Sequence, residues 1–230
     1  MTRLGLFGGS FDPVHLGHLL VAEAAREELG LARLFFIPAA QSPFKPASQP
    51  APAAQRLRLL RLALAGRPWC ELDEQELRRG GVSYTIDTVR DYARRFPDAE
   101  LFYLIGADHA AQLPRWREAA RLAELTQFVI LPRPDQAPTP NVLAPPAPDA
   151  ADPHGLPPDA SARPAPSPRA PGPGAQAAEL PAPFRGCRLA GFPLAVSSSQ
   201  IRERLRAGLA IEALVPGPVA EAIRNDRLYL

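Results

Sequence analysis

Lysine is almost missing from this chain of 230 residues: of 26 basic side chains, only Lys45 is not arginine. Positive and negative charge nearly cancel, 26 Lys+Arg against 24 Asp+Glu, for a net +2. So small an excess gives no electrostatic case for a nucleic-acid partner. Cysteine is scarce as well. Cys70 and Cys187 stand alone, without metal-ligand spacing, and read as ordinary thiols of a reducing compartment rather than a disulfide framework. Long apolar runs are missing. Leu4–Phe7 stops at once at Gly8 and Gly9, too short for a secretory leader, and no stretch approaches the ~18 apolar residues of a membrane span. These absences lead to an expectation of a soluble, cytoplasmic protein.

Proline is the opposite case, with 29 residues, about 13% where ordinary chains have ~5%. The excess is local. The segment 134–183 holds 16 prolines and 13 alanines and has no aromatic residue. Its few apolar groups, Val142, Leu143, Leu156 and Leu180 among them, cannot offset the entropy of ordering it. It reads as a disordered Pro/Ala-rich insert at about 134–183, interrupting a single domain that spans 1–230. The insert carries a net −3, so the remainder is at +5, mildly suited to anionic ligands.

The rest alternates strands and helices. Arg3–Phe7 is a short apolar run broken by glycines, expected to be a strand entering a tight turn. Leu16, Leu19, Leu20 and Ala24 recur at helical spacing up to Gly30. Continuous apolar runs at Leu34–Ile37, Leu101–Ile105 and Phe128–Leu131 read as strands buried on both faces. Trp69–Leu72 is a shorter candidate strand. Helices are expected over 55–65, 84–96, 200–207 and from 215 to the last residues, and the chain resumes after the insert with Leu189–Val196. The pattern predicts an α/β, Rossmann-like, doubly wound parallel sheet. Ligands bind such sheets at the carboxyl ends of the strands, so the loops after Phe7, Ile37 and Ile105 are the candidate site.

Two motifs carry chemistry. The first is Gly8-Gly9-Ser10-Phe11-Asp12-Pro13-Val14-His15-Leu16-Gly17-His18. It is neither a phosphate-binding P-loop nor a dinucleotide fingerprint. Its glycines let backbone approach a ligand at a strand end. His15 and His18, three apart in a first helical turn, share one face, where they offer directional donors to phosphate oxygens beside the anion-favouring helix start. Asp12 reads as a turn former ahead of Pro13. The second motif is Ser197-Ser198-Ser199-Gln200-Ile201-Arg202. Three hydroxyls exceed what one helix cap requires, and Arg202 lies one turn in, near enough to share an anion with the helix start.

Gly8–His18 resembles the GG[ST]FDPxHxGH signature of the HxGH nucleotidyltransferases, and Ser197–Arg202 resembles their SSSxIR signature. Ser83-Tyr84-Thr85 with Asp87-Thr88, Leu104–Asp108, Leu113–Trp116 and Arg133-Pro134 are similar to the SYTxDT, IIGAD, LPxW and RP segments of bacterial nicotinate-nucleotide adenylyltransferases. The resemblance covers about 3–133 and 186–230. It implies the HxGH nucleotidyltransferase fold and adenylyl transfer from Mg²⁺-ATP to nicotinate mononucleotide, giving deamido-NAD and pyrophosphate with no covalent intermediate. It implies that His15 and His18 hold the triphosphate and stabilise the transition state. Gly8, Gly9, Ser10 and Phe11 would line the ATP groove, and Gly106 and Asp108 would face the nucleoside. Ser198, Ser199 and Arg202 would take ATP phosphates. Lys45, Thr85, Trp116 and Arg133 would hold the acceptor, with Trp116 stacked on the pyridine ring. No resident metal site is implied, and assembly into a homo-oligomer is left open.

The chain departs from that pattern in two places. Where the family commonly has Pro-Pro-His-Lys, it reads Ser42-Pro43-Phe44-Lys45, and Phe44 cannot donate to phosphate. The other departure is the insert. The nearest alternative is another member of the superfamily, a pantetheine-phosphate adenylyltransferase or one preferring nicotinamide mononucleotide; an alternative from a different class is a regulatory nucleotide-binding module without turnover. The presence of both histidines weighs against the last.

Overall fold

The computed structural model describes residues 1–43, 50–131, 175–191 and 196–230. Among them, strands β1 (Thr2–Gly9), β2 (Arg33–Pro38), β3 (Cys70–Leu72), β4 (Ala99–Gly106), β5 (Gln127–Leu131), β6 (Gln176–Ala177) and β7 (Gly186–Arg188) form one sheet. Its order is β3-β2-β1-β4-β5-β7-β6, and every pairing is parallel except β6 with β7. Helices α1 (Leu16–Leu29), α2 (Ala53–Leu64), α3 (Gln75–Arg79), α4 (Thr85–Arg95), α5 (Ala107–Ala110), α6 (Ala119–Leu125), α7 (Ser198–Arg206) and α8 (Gly217–Asn225) flank it.

The apolar runs become central strands because both of their faces are covered. Side chains alternate across a strand, so Phe7, Phe36, Phe102 and Leu104 enter a core with α1, α2, α7 and α8. Leu4, Leu6, Phe35, Leu101, Tyr103 and Ile105 enter a second core with α4 and α6. The chain leaves β1 toward β2 and β3, then returns to place β4 on the other side of β1. The reversal of winding opens a crevice at the carboxyl ends of β1 and β4, where ligands bind in sheets of this kind.

Several expectations need correction. Gly8 and Gly9 are not in a tight turn: they still pair with Ile37 and Pro38 at the end of β1. The strand after the insert is Gly186–Arg188, upstream of the apolar Leu189–Val196. The expected insert lies outside the described residues up to position 174. Its remaining part, 175–183, is not featureless. Gln176 and Ala177 pair with β7, and Leu180 packs half-buried against the second core. The pairing comes from the β7 edge, which supplies ladder partners the local sequence gives no hint of. Among the described residues no helix is long and apolar enough to cross a membrane.

Candidate functional site

The crevice holds a cavity of about 260 Å³. The end of β1 supplies Phe7, Gly8, Gly9 and Ser10, the loop after β2 supplies Ala39, Ser42 and Pro43, and the end of β4 supplies Leu104, Ile105, Gly106, Asp108 and His109. All three loops expected from the sequence therefore meet. Thr85, the first residue of α4, and Trp116 complete the wall. Both also line a smaller adjoining cavity of about 100 Å³ with Tyr84, Ile86, Arg115, Arg117 and Leu122. The N-cap residue of α4, Tyr84, makes no side-chain capping bond. That leaves a helix start suited to a carboxylate at the cavity wall.

His15 and His18 do not line this cavity. Phe7, which does, has its ring 5.8 Å from that of His18. The two imidazoles are stacked, 3.7 Å between centroids and 26° between planes, as their spacing predicts. The His15 N–H donates to Nδ1 of His18 at 3.2 Å. A neutral imidazole that accepts at Nδ1 carries its proton at Nε2, so His18 presents an N–H from the far side of its ring. Gly17 makes room for the pair: a Cβ there would lie 3.0 Å from Nδ1 of His15. That Nδ1 is buried without a hydrogen-bond partner.

Burial lowers the pKa of His15 to about 4. Burial first, and the neighbouring His15 second, push His18 well below the usual imidazole value. Near neutral pH both are uncharged donors rather than cations. The same shift bears on stability. From the ordinary 6.5 down to about 4, His15 binds a proton in the unfolded chain but not in the folded one, so stability is full above 6.5 and falls as the pH drops through that window. The contribution is about 3 kcal/mol at most. Urea titrations of the wild type and His15→Asn at pH 7 and 4.5 test it. The acid loss should be about 2–3 kcal/mol smaller in the variant, and equal losses would refute the assignment.

The Phe11 ring is buried, 5.4 Å from Phe7 and 5.0 Å from His18, where it backs the second histidine. The three serines divide their tasks. Ser197 caps α7, accepting from the Gln200 N–H at 3.2 Å. Ser198 donates to the Pro13 carbonyl at 2.9 Å, clamping α7 to the histidine loop. Exposed Ser199 accepts from Nη2 of Arg202 at 3.3 Å, and Nη1 of Arg202 donates to the Asp12 carbonyl at 2.6 Å. The motif at α7 is thus brought onto the loop that carries the histidines. Lys45, Phe44 and Arg133 lie outside the described residues.

Sequence reasoning missed Glu76, Tyr103 and His109 on the cavity wall, and gave Ser83, though part of a quoted motif, no place there. Glu76 is buried and accepts from the Thr88 hydroxyl at 2.6 Å, with burial raising its pKa. Ser83 accepts from the Ala40 N–H at 3.0 Å, which joins the loop after β2 to the start of α4. The only local signal for Tyr103 was a hydroxyl inside an otherwise apolar strand.

A family model for cytidylyltransferase-like proteins matches residues 6–204. The chain is 36% identical over 227 residues to a protein of Opitutus terrae named "Probable nicotinate-nucleotide adenylyltransferase", covering 99% of this chain and 97% of that one. A protein of the same name from Gemmatimonas aurantiaca is 40% identical over 227 residues, covering 99% and 92%. Among solved structures, Plasmodium falciparum nicotinic acid mononucleotide adenylyltransferase complexed with NaAD aligns with a TM-score of 0.67 at 14% identity, covering 100% of this chain and 98% of that one. Its complex with APC gives 0.62 at the same identity and coverage. These structural likenesses are of fold.

Proposed function

The chain belongs to the cytidylyltransferase-like family and, within it, to the nicotinate-nucleotide adenylyltransferases; from that premise we propose that it transfers the adenylyl group of ATP to nicotinate mononucleotide in NAD biosynthesis. An oxygen of the acceptor phosphate forms a bond to the α-phosphorus, the bond from that phosphorus to the bridging oxygen breaks, and pyrophosphate leaves with the electron pair. Such a step needs positioning and charge stabilisation rather than a protein nucleophile. The divalent ion enters as part of the Mg²⁺-ATP substrate.

The observation that carries the reading is the stacked histidine pair at the start of α1, with the start of α7 bonded to the loop that leads into it. In this reading Nε2–H of His18 and the His15 ring donate to oxygens around the α-phosphorus as charge accumulates there. Arg202 and Ser199 take the phosphates beyond it. Gly8, Gly9, Ser10, Gly106 and Asp108 border the nucleoside. The uncapped start of α4 at Thr85 takes the nicotinate carboxylate, and Trp116 covers the ring. Lys45 and Arg133 are proposed acceptor contacts on sequence grounds alone.

Pyrophosphate release with Mg²⁺-ATP and each of three acceptors tests the assignment. Nicotinate mononucleotide should turn over much faster than nicotinamide mononucleotide or phosphopantetheine. Equal or faster turnover with phosphopantetheine would sink it.

A further inference from the structure

Asp12 is more than a turn former. Its Oδ1 accepts two hydrogen bonds from distant parts of the chain, from the Ala51 N–H at 3.2 Å and from the Tyr229 hydroxyl at 2.8 Å. Its carbonyl accepts from Arg202 at 2.6 Å. Its other carboxylate oxygen, Oδ2, stands 3.8 Å from the same guanidinium nitrogen, beyond a hydrogen bond. Tyr229 follows α8 with a positive φ of 69°, a conformation L-residues seldom adopt, and its ring is half-buried against the Asp12 loop. Burial and the Asp12 charge push its pKa upward, so the phenol keeps its proton as a donor.

An arginine beside a carboxylate prefers a two-bond, fork-to-fork pair. Here the pair stays open although both groups are within reach. The geometry points to Tyr229 as a positioning residue for ATP: by holding Oδ1 of Asp12, it keeps the carboxylate from closing on Arg202 and leaves the guanidinium directed at Ser199 and the start of α7. The inference rests on the reading of Arg202 as a phosphate contact.

Without the phenol oxygen, Oδ1 keeps a single donor, and carboxylate rotation about χ2 is soft. Asp12 then turns to take Arg202 in both of its oxygens. Arg202 loses its contact with Ser199, and its charge is neutralised before ATP arrives. Thr85 and Trp116, given to the acceptor, line a different cavity from Asp12, Arg202 and Tyr229, so the acceptor end does not depend on this exchange. An asparagine at 12 still accepts from the Ala51 N–H but has no charge with which to capture the guanidinium.

The test uses the full chain in four forms: wild type, Tyr229→Phe, Tyr229→Phe with Asp12→Asn, and Arg202→Ala. KM for both substrates, kcat, calorimetric binding of a non-hydrolysable ATP analogue, and melting temperature are measured for each. The expected result is a KM for ATP raised about five- to tenfold in Tyr229→Phe, with the nicotinate mononucleotide KM unchanged and analogue binding weakened in step. The added Asp12→Asn should restore most of the loss. If Arg202→Ala weakens ATP binding and Tyr229→Phe does not, the role given to Tyr229 is overturned and the phosphate reading stands. If Arg202→Ala leaves ATP binding unchanged, the phosphate reading itself fails and the inference with it. Equal rises in both KM values with a lowered melting temperature, unrelieved by Asp12→Asn, would reduce Tyr229 to a structural contact and overturn the proposal.

Discussion

Alanine in place of His18 is expected to lower turnover by roughly 10²–10³-fold, the usual effect of removing one transition-state donor, while ATP binding weakens far less. The ring is held before substrate arrives: His15 lies 3.7 Å above it, Phe11 meets it at 5.0 Å, and the His15 N–H fixes Nδ1 as an acceptor. A donor fixed in this way needs no reorganisation when charge develops at the α-phosphorus, so its loss falls on kcat. Two further substitutions separate the ring nitrogens. The amide of glutamine reaches the Nε2 position and should recover part of the rate. The amide of asparagine reaches only the Nδ1 position and should be as slow as alanine. Steady-state turnover with calorimetric ATP binding checks this. Turnover of His18→Ala within a few-fold of wild type would remove the role assigned to Nε2.

Gly8→Ala is the second large expected effect. Gly8 is the last residue but one of β1, and a Cβ there would lie 2.3 Å from the hydroxyl oxygen of Tyr103. Tyr103 is buried, with its ring 6.4 Å from Trp116 and 6.2 Å from Phe128 in edge contacts, so it has little room to withdraw. The methyl must displace the strand end or the tyrosine, and both form the cavity wall. Misplacement of a substrate-bearing wall by about 1 Å is enough for a loss on the order of 10²-fold, and that is the fall expected in kcat/KM. Tyr103→Phe removes the clashing oxygen and leaves the ring carbon Cζ as the nearest atom, at 3.2 Å. The methyl should then be tolerated about tenfold better. Four kcat/KM values, for wild type, each single variant and the double, form the cycle, and additive losses would contradict the account.

The central strands were legible because burial on both faces makes them continuous apolar runs, and the helix α1 because its stripe and its stop at Gly30 agree. What was not legible depends on partners. The helix α3, Gln75–Arg79, has a single apolar residue, Leu77, and tertiary contacts such as Glu76 with Thr88 hold it. The two residues of β6 pair only because β7 offers an edge. Among the site candidates, the histidines stood out through their spacing beside paired glycines. Glu76, Tyr103 and Tyr229 did not, since each gains its role from a residue 12 to 217 positions away. The burial of the Phe11 ring, on a backbone with a φ of 47°, was equally unannounced by the motif.

The seam between β1 and β4 sets the order in which this chain can become active. It joins Thr2 to Ala99 and Phe7 to Leu104, strands separated by nearly half the chain, and loop closure over such a span delays pairing. As the chain grows from the ribosome, β1 has only β2 beside it until β4 has been made, and its other edge stays exposed to wrong partners. The cavity straddles that same seam. If nucleotide binds there, as proposed, it can attach only once the halves have met, so its binding free energy acts as a brake on unfolding and does not speed folding.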